Sequence, residues 1–206
     1  MGMGKDILVI RTDILFKEGM FEGFRPISEK DYMPLLVSLG EYQKRTPELE
    51  EDSHLQQPIP YVWIVNSREQ KIFLYKRATT GNEGRLYNRY SGGVGGHVDR
   101  DTEEGAENPL LQAMMRELKE EVMMKEYPLP KVIGFVSLRG GVEDVHFGIV
   151  ALADTLEDVK PIEDMAHGQF YSIEEVEKVF ADSNNQVERW TLAVFPFIKQ
   201  YLQSST

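Results

Sequence analysis

The sequence predicts an α/β (α+β) fold in which one mixed β-sheet carries helices on its faces, with an N-terminal extension added. Three observations lead there. Short runs rich in Val, Ile, Leu and aromatic residues alternate with longer stretches whose apolar residues recur at helical spacing. Some of those runs are joined as hairpins, which rules out a purely parallel sheet. A chain of 206 residues with 41% hydrophobic content is long enough for one full-sized core and too short for two generous domains. The expected division is an extension over residues 1–57, a strand plus a helix that pack on or complete the rest, and a main domain over residues 58–206.

Taken in order, "DILVIRTDILF" reads as a strand, and "SEKDYMPLLVSLGEYQKR" as a helix capped by Ser28 with Asp31 three residues on. The charged stretch 46–57 reads as a linker. Residues 61–65 and 72–75 are apolar runs on either side of the polar break "NSREQK", a hairpin pattern. After the glycine-rich "SGGVGGHV", Asn108 is a favoured N-cap and Pro109 suits the first helical position, predicting a helix to about Lys125. "KVIGFVSL" and "VHFGIVALAD" are further strands. In "YSIEEVEKVF", Ser172 and Glu175 stand at capping-box spacing, and "VERWTLAVFPFIKQYL" is an amphipathic closing helix that Pro196 should kink or interrupt.

Composition narrows the chemistry. With no cysteine, disulfides, thiolate zinc sites and cysteine nucleophiles are excluded, and a reducing, cytoplasmic location is expected. The first twenty residues hold only a short apolar run between charges, so neither a signal peptide nor a membrane span is expected there. A net charge of -11 repels polyanions, so stable binding to nucleic acid or to an anionic membrane is not expected. A small anion brought in by metal ions remains compatible with it.

The helix after Asn108 concentrates the charge. At about 100° per residue, Glu117, Glu120 and Glu121 fall within an arc of roughly 100°, beside an apolar stripe of Leu111, Met114, Met115, Leu118 and Val122. Glutamates three and four residues apart repel by about 0.2–0.5 kcal/mol per pair. A hard divalent cation, Mg²⁺ or Mn²⁺, offsets that repulsion using carboxylates, water and phosphate oxygens alone. A solvated acidic face is the alternative. The turn "SGGVGGHV" can present main-chain groups to a metal or phosphate, because glycine permits close backbone approach.

The order of glycine turn, acidic loop, capped helix and "RELKEEV" resembles the Nudix box, G-x5-E-x7-R-E-U-x-E-E-x-G-U with U aliphatic. This resemblance to the Nudix hydrolases covers roughly residues 58–180. It implies an α/β/α sandwich and cleavage of a diphosphate linked to another group, by a water nucleophile with Mg²⁺ or Mn²⁺. Carried over residue by residue, Glu117, Glu120 and Glu121 are implied metal ligands, Arg116 orients a glutamate, and the carbonyl of Gly96 or Gly95 is a further ligand. Two departures stand out. Nineteen residues separate Gly96 from Arg116 where the pattern has thirteen, and Asn108 occupies the place of the first box glutamate. Either that carboxylate is absent, or Glu107, Glu104 or Glu103 reaches in from the lengthened loop. The glycine after "EE" is also absent, since Met123 and Met124 follow Val122.

Other roles stay open. Glu163 and Asp164, or Glu143 and Asp144, are candidates for the general base. Arg77, Arg85, Arg89 and Arg139 are candidates for phosphate contacts, because arginine offers a planar fork to phosphate oxygens. His97 is another, while Tyr87 and Tyr90 could stack on a base. The substrate expected is a small-molecule diphosphate such as a nucleoside diphosphate derivative, and the resemblance also favours a homodimer. The competing readings are a Nudix-like module that binds a nucleotide or partner without turnover, and the isomerase branch of the superfamily. That branch uses a cysteine, and this chain has none.

Overall fold

In the computed structural model, which describes residues 3–78, 88–162 and 165–204, the chain opens with β1 (Asp6–Arg11) and a helical turn α1 (Thr12–Leu15). There follow β2 (Gly23–Pro26), α2 (Met33–Leu39) and β3 (Glu41–Lys44). The hairpin is built from β4 (Leu55–Asn66) and β5 (Lys71–Arg77). Next come β6 (Arg89–Ser91), β7 (Gly93–Val94), the short α3 (Arg100–Glu103), and the acidic helix α4 (Pro109–Glu121). β8 (Val122–Met123), β9 (Lys131–Ser137), β10 (His146–Asp154), β11 (Lys160–Pro161) and β12 (Met165–Ser172) continue the chain, and α5 (Ile173–Ala181), β13 (Gln186–Val187) and α6 (Arg189–Ser204) close it.

The sheet runs β13-β6-β5-β4-β10-β9-β2, with β4 and β10 parallel and most other pairs antiparallel, so the sheet is mixed as expected. Its centre, β4, is buried on both faces, and its side chains alternate between two cores. Val62 and Ile64 join the core under α4, whereas Tyr61, Trp63 and Val65 join the core under α5 and α6. Leu110, Ala113, Met114 and Leu118 seal α4 onto the first face, and Val194, Ile198 and Leu202 seal α6 onto the second. Full burial of each aliphatic side chain contributes roughly 1.5–3 kcal/mol. The result is a three-layer sandwich.

β4 and β5 separate soon after their hairpin. β5 goes on to pair with β6 and β12, while Val62 and Trp63 of β4 pair with β7. The glycine turn enters through that parting. The N-terminal segment joins the same sheet, because β1 pairs with β3 and its Ile10 and Arg11 with Gln56 and Leu55 of β4. Among the described residues no helix is long and apolar enough to cross a membrane.

Several local expectations are corrected. The early helix begins at Met33, not near Ser28, since Pro34 sets the first turn and Asp31 Oδ1 accepts from Met33 N at 2.8 Å. Residues 46–57 are no loose linker: Leu49 is buried, Arg45 Nε pairs with Glu50 at 2.7 Å, and Gln56 and Gln57 already belong to β4. The acidic helix ends at Glu121, four residues early, because Val122 turns extended and β8 pairs with β11. Pro196 does not interrupt α6, whose buried Val194, Phe195 and Ile198 hold it on both sides of the lost hydrogen bond. The Ser172–Glu175 capping box forms as expected.

Candidate active site

The site is assembled where the glycine turn is pressed between β4 and the middle of α4. A side chain at Gly95 would collide with the Pro60 carbonyl, and a Cβ on Gly96 would lie 2.6 Å from Glu117 Oε1. Gly95 therefore excludes any side chain, a Cβ at Gly96 would displace the Glu117 carboxylate, and Gly96 stands directly over the first glutamate of "RELKEE". Asn108 Oδ1 accepts from Leu111 N at 3.0 Å, so this residue caps α4 and leaves no carboxylate at that place.

Another carboxylate stands beside Arg116, that of Glu103 at the end of α3 in the lengthened loop. It is fully buried; Oε1 accepts from Arg116 Nε at 2.8 Å and Oε2 from the Asp99 amide at 2.6 Å. Glu104 and Glu107 are exposed, and Glu104 pairs with Arg100 instead. Arg116 is the hub. Its Nη1 donates to Glu117 Oε1 at 2.6 Å and to Glu120 Oε2 at 2.9 Å, and its Nη2 to the His97 carbonyl at 2.8 Å.

One guanidinium thus serves three carboxylates, and the electrostatics are lopsided. Burial pushes the Glu117 carboxyl up to about 7; Arg116 opposes that rise, and Glu121 and Glu120 add to it. Burial also works against the charge on Arg116, but Glu117 and Glu103 hold it well above its ordinary range. Glu120 is half exposed, and Glu121 stands at the end of the helix, where its carbonyl accepts from Ile162 N at 3.1 Å. Among the described residues these acids do not converge on a single point as a finished cage, because Arg116 Nη1 lies between two of them.

The remaining candidates are dispersed. Arg77 ends β5, and its Nε donates to the buried Glu188 at 2.6 Å; Glu121 is among the acids that raise its pKa. Glu188 Oε2 accepts from Ser91 Oγ at 2.7 Å, and Ser91 Oγ lies 3.3 Å from Tyr61 Oη. Arg89 lies on β6 with its Nε buried and unpartnered among the described residues. The His97 ring is buried, its Nε2 2.7 Å from Gln57 Oε1, and burial then the nearby Arg45 depress its pKa well below the usual value. Arg139 reaches Met20 Sδ, Glu143 pairs with Arg189 at 3.3 Å, and Asp144 Oδ1 accepts from Gly140 N. Tyr90 carries Lys76 over its ring. Glu163, Asp164, Arg85 and Tyr87 lie outside the described residues.

Sequence reasoning named Glu103 only as one of three acids and missed Glu188, Gln57, Lys5 and Asp99. Each of these acts through a partner at least 40 residues away in the chain or through a main-chain amide, and spacing carries no such signal.

No family model matches the chain. Protein YmaB of Bacillus subtilis (strain 168) is 28% identical over 211 residues, spanning 97% of this chain and 100% of that protein. The crystal structure of Tm1382, a proposed Nudix hydrolase, superposes with a TM-score of 0.73 at 28% identity, covering 96% of this chain and 100% of that one. A bifunctional NMN adenylyltransferase/ADP ribose pyrophosphatase from Francisella tularensis, complexed with AMP and a manganese ion, superposes with a TM-score of 0.51. At 12% identity, over 71% of this chain and 42% of that one, it shows the shared fold alone. With the sandwich, the glycine turn over Glu117 and the likeness to Tm1382 along almost the whole chain, the protein has the Nudix fold and is similar over its length to a proposed Nudix hydrolase.

Proposed function

We propose that the protein hydrolyses a diphosphate linkage in a nucleoside diphosphate derivative or related small molecule, with Mg²⁺ or Mn²⁺ held by Glu117, Glu120 and Glu121. The observation that carries this reading is the buried carboxylate of Glu117, pinned beneath Gly96 and balanced, among the described residues, by a guanidinium that it shares with Glu103 and Glu120. An all-oxygen donor set of acids on successive helical turns fits a hard cation and offers nothing to a soft one. Main-chain oxygen from Gly96 would complete the set. When bound, such a cation neutralises phosphate charge and lowers the pKa of a water.

The chain's own residues supply the rest of the proposal. Arg116 orients Glu117 and Glu120, and Glu103 takes the part of the missing box glutamate by holding Arg116 from the other side. For phosphate contacts we favour Arg77 and Arg89 over His97 and Arg139. Arg77 already senses Glu121, and Arg89 has a buried donor to offer, whereas His97 Nε2 is engaged by Gln57 and Arg139 lies against Met20. Glu163 or Asp164 remains the proposed general base, supported by the hydrogen bond that ties their neighbour Ile162 to Glu121. A homodimer, a cytoplasmic location and the division at residues 57/58 are also proposals; they rest on the family likeness and the cysteine-free composition.

A panel of nucleoside diphosphate derivatives and other diphosphates, incubated with Mg²⁺ or Mn²⁺ and followed by phosphate-containing product, tests the reading. Turnover with metal and none in chelator supports it. Ligand-induced thermal stabilisation with no product from any compound replaces it with the non-catalytic binding module.

A further inference from the structure

The N-terminal segment does more than extend the sheet. It grips the stretch His97–Asp99, from which Arg116 is held. At one end of that stretch, Gln57 is wholly buried and its Oε1 lies 2.7 Å from His97 Nε2. The His97 carbonyl in turn accepts from Arg116 Nη2. At the other end, the Asp99 carboxylate is buried and takes Lys5 Nζ at 2.8 Å from 94 residues away. The Asp99 amide donates to Glu103, which accepts from Arg116 Nε. Between the two clamps, Leu8 N donates to the Val98 carbonyl at 2.9 Å, and Ile7 bridges Asp99. Both supports of the guanidinium are therefore anchored on residues 5–57.

We propose that Lys5 and Gln57 are positioning residues for the metal cradle: by fixing His97–Asp99 they fix Arg116, and through it the carboxylates of Glu117 and Glu120. The proposal rests on the metal-dependent reading above. The physical reason lies in what removal leaves behind. Without Lys5 the buried Asp99 carboxylate loses its cation close to buried Glu103, and a buried unpaired charge drives its loop toward water. Glu103 then moves off Arg116, and one guanidinium contact of the cradle is lost. Lys5 itself is 44% exposed in its side chain, so its replacement opens no cavity. Outer-shell partners of this kind typically change metal affinity by about 10–100-fold.

The test is Mn²⁺ binding, read from the electron paramagnetic resonance signal of free Mn²⁺, on the full chain and on Lys5→Met, Lys5→Arg and Gln57→Leu. Lys5→Met and Gln57→Leu are expected to bind Mn²⁺ on the order of tenfold more weakly, and Lys5→Arg to recover most of the loss. In an Arg116→Met background, Lys5→Met should add nothing. If Gln57→Leu fails to fold, the Lys5 series decides alone. Wild-type affinity in Lys5→Met, an equal defect in Lys5→Arg, or the same further loss in the Arg116→Met background overturns the proposal. A wild-type chain that binds no Mn²⁺ overturns the metal-dependent reading itself and takes this inference with it.

Discussion

Two buried polar networks flank the parting between β4 and β5, and they are built on opposite principles. On the α4 side, one guanidinium, Arg116, faces Glu103, Glu117 and Glu120. On the α6 side, Arg77 faces one acid, Glu188, whose second oxygen is taken by the Ser91 hydroxyl. Tyr61 and Thr191 extend that second network, their hydroxyls 2.7 Å apart, and Thr191 Oγ1 accepts from Gly92 N at 3.0 Å. The second network is balanced, one acid to one guanidinium, and the phosphate contact proposed for Arg77 would be made from that pairing. The first sets three acids against one guanidinium, with Glu103 and Glu117 buried, which is costly unless a ligand uses the charge. On the proposed function, the difference sets the α4 side apart as the one that would take the metal.

The largest expected effect tests that division at its functional end. Glu120→Gln and Glu121→Gln should each lower metal-dependent turnover a hundredfold or more, about 3 kcal/mol at the transition state, while leaving thermal stability in chelator unchanged or slightly raised. Steady-state kinetics beside calorimetry measures both. Two variants with undiminished kcat/KM would remove the catalytic assignment from this helix.

The balanced network should answer in the opposite way. Glu188→Leu leaves Arg77 without its 2.6 Å partner and strips Ser91 of an acceptor, so a loss of about 3 kcal/mol in chemical denaturation is expected. If instead stability held and only turnover fell, Glu188 would belong to the chemistry and the contrast between the two networks would fail.

How much of this could be read from the chain follows from the range of the interactions. The sandwich was legible because β4 and α4 announce themselves locally: an apolar run between turn signals, and an Asn-Pro start before a helical stripe. The acids on α4 were legible for the same reason, since helical spacing alone puts Glu117, Glu120 and Glu121 near one another. Glu103 was harder. Its loop is six residues longer than the box pattern, so counting points to Asn108, and only the fold of α3 turns Glu103 inward to Arg116. The end of α4 was misjudged because Val122 has no breaker after it; the helix stops there through pairing of β8 with β11, nearly forty residues on. Lys5 and Gln57 were invisible, for a lysine near a terminus and a glutamine in a polar stretch carry no pattern until β1 and β4 bring them to the loop.

An effect confined to one carboxyl sharpens the comparison most, because it isolates the surplus charge itself. The Glu117 carboxyl lies at about 7 in the folded protein against 4.5 for an ordinary glutamate, chiefly through burial. A raised carboxyl favours folding below the lower value, and that contribution disappears as pH climbs through the upper one, so chelated protein should weaken between about pH 4.5 and 7. The full shift, with the opposing effect of Arg116 already included in it, corresponds to on the order of 3 kcal/mol. Glu117→Gln keeps an acceptor for Arg116 and carries no charge. In chelator it should therefore match the wild type near pH 4 and exceed it by on the order of 3 kcal/mol at pH 8, measured by urea unfolding at both values. Mn²⁺ should narrow the gap at pH 8 by stabilising only the chain that retains the carboxylate. A difference between the two proteins that is the same at both pH values would mean that Glu117 carries no excess charge, and the two networks would then differ only in their number of acids.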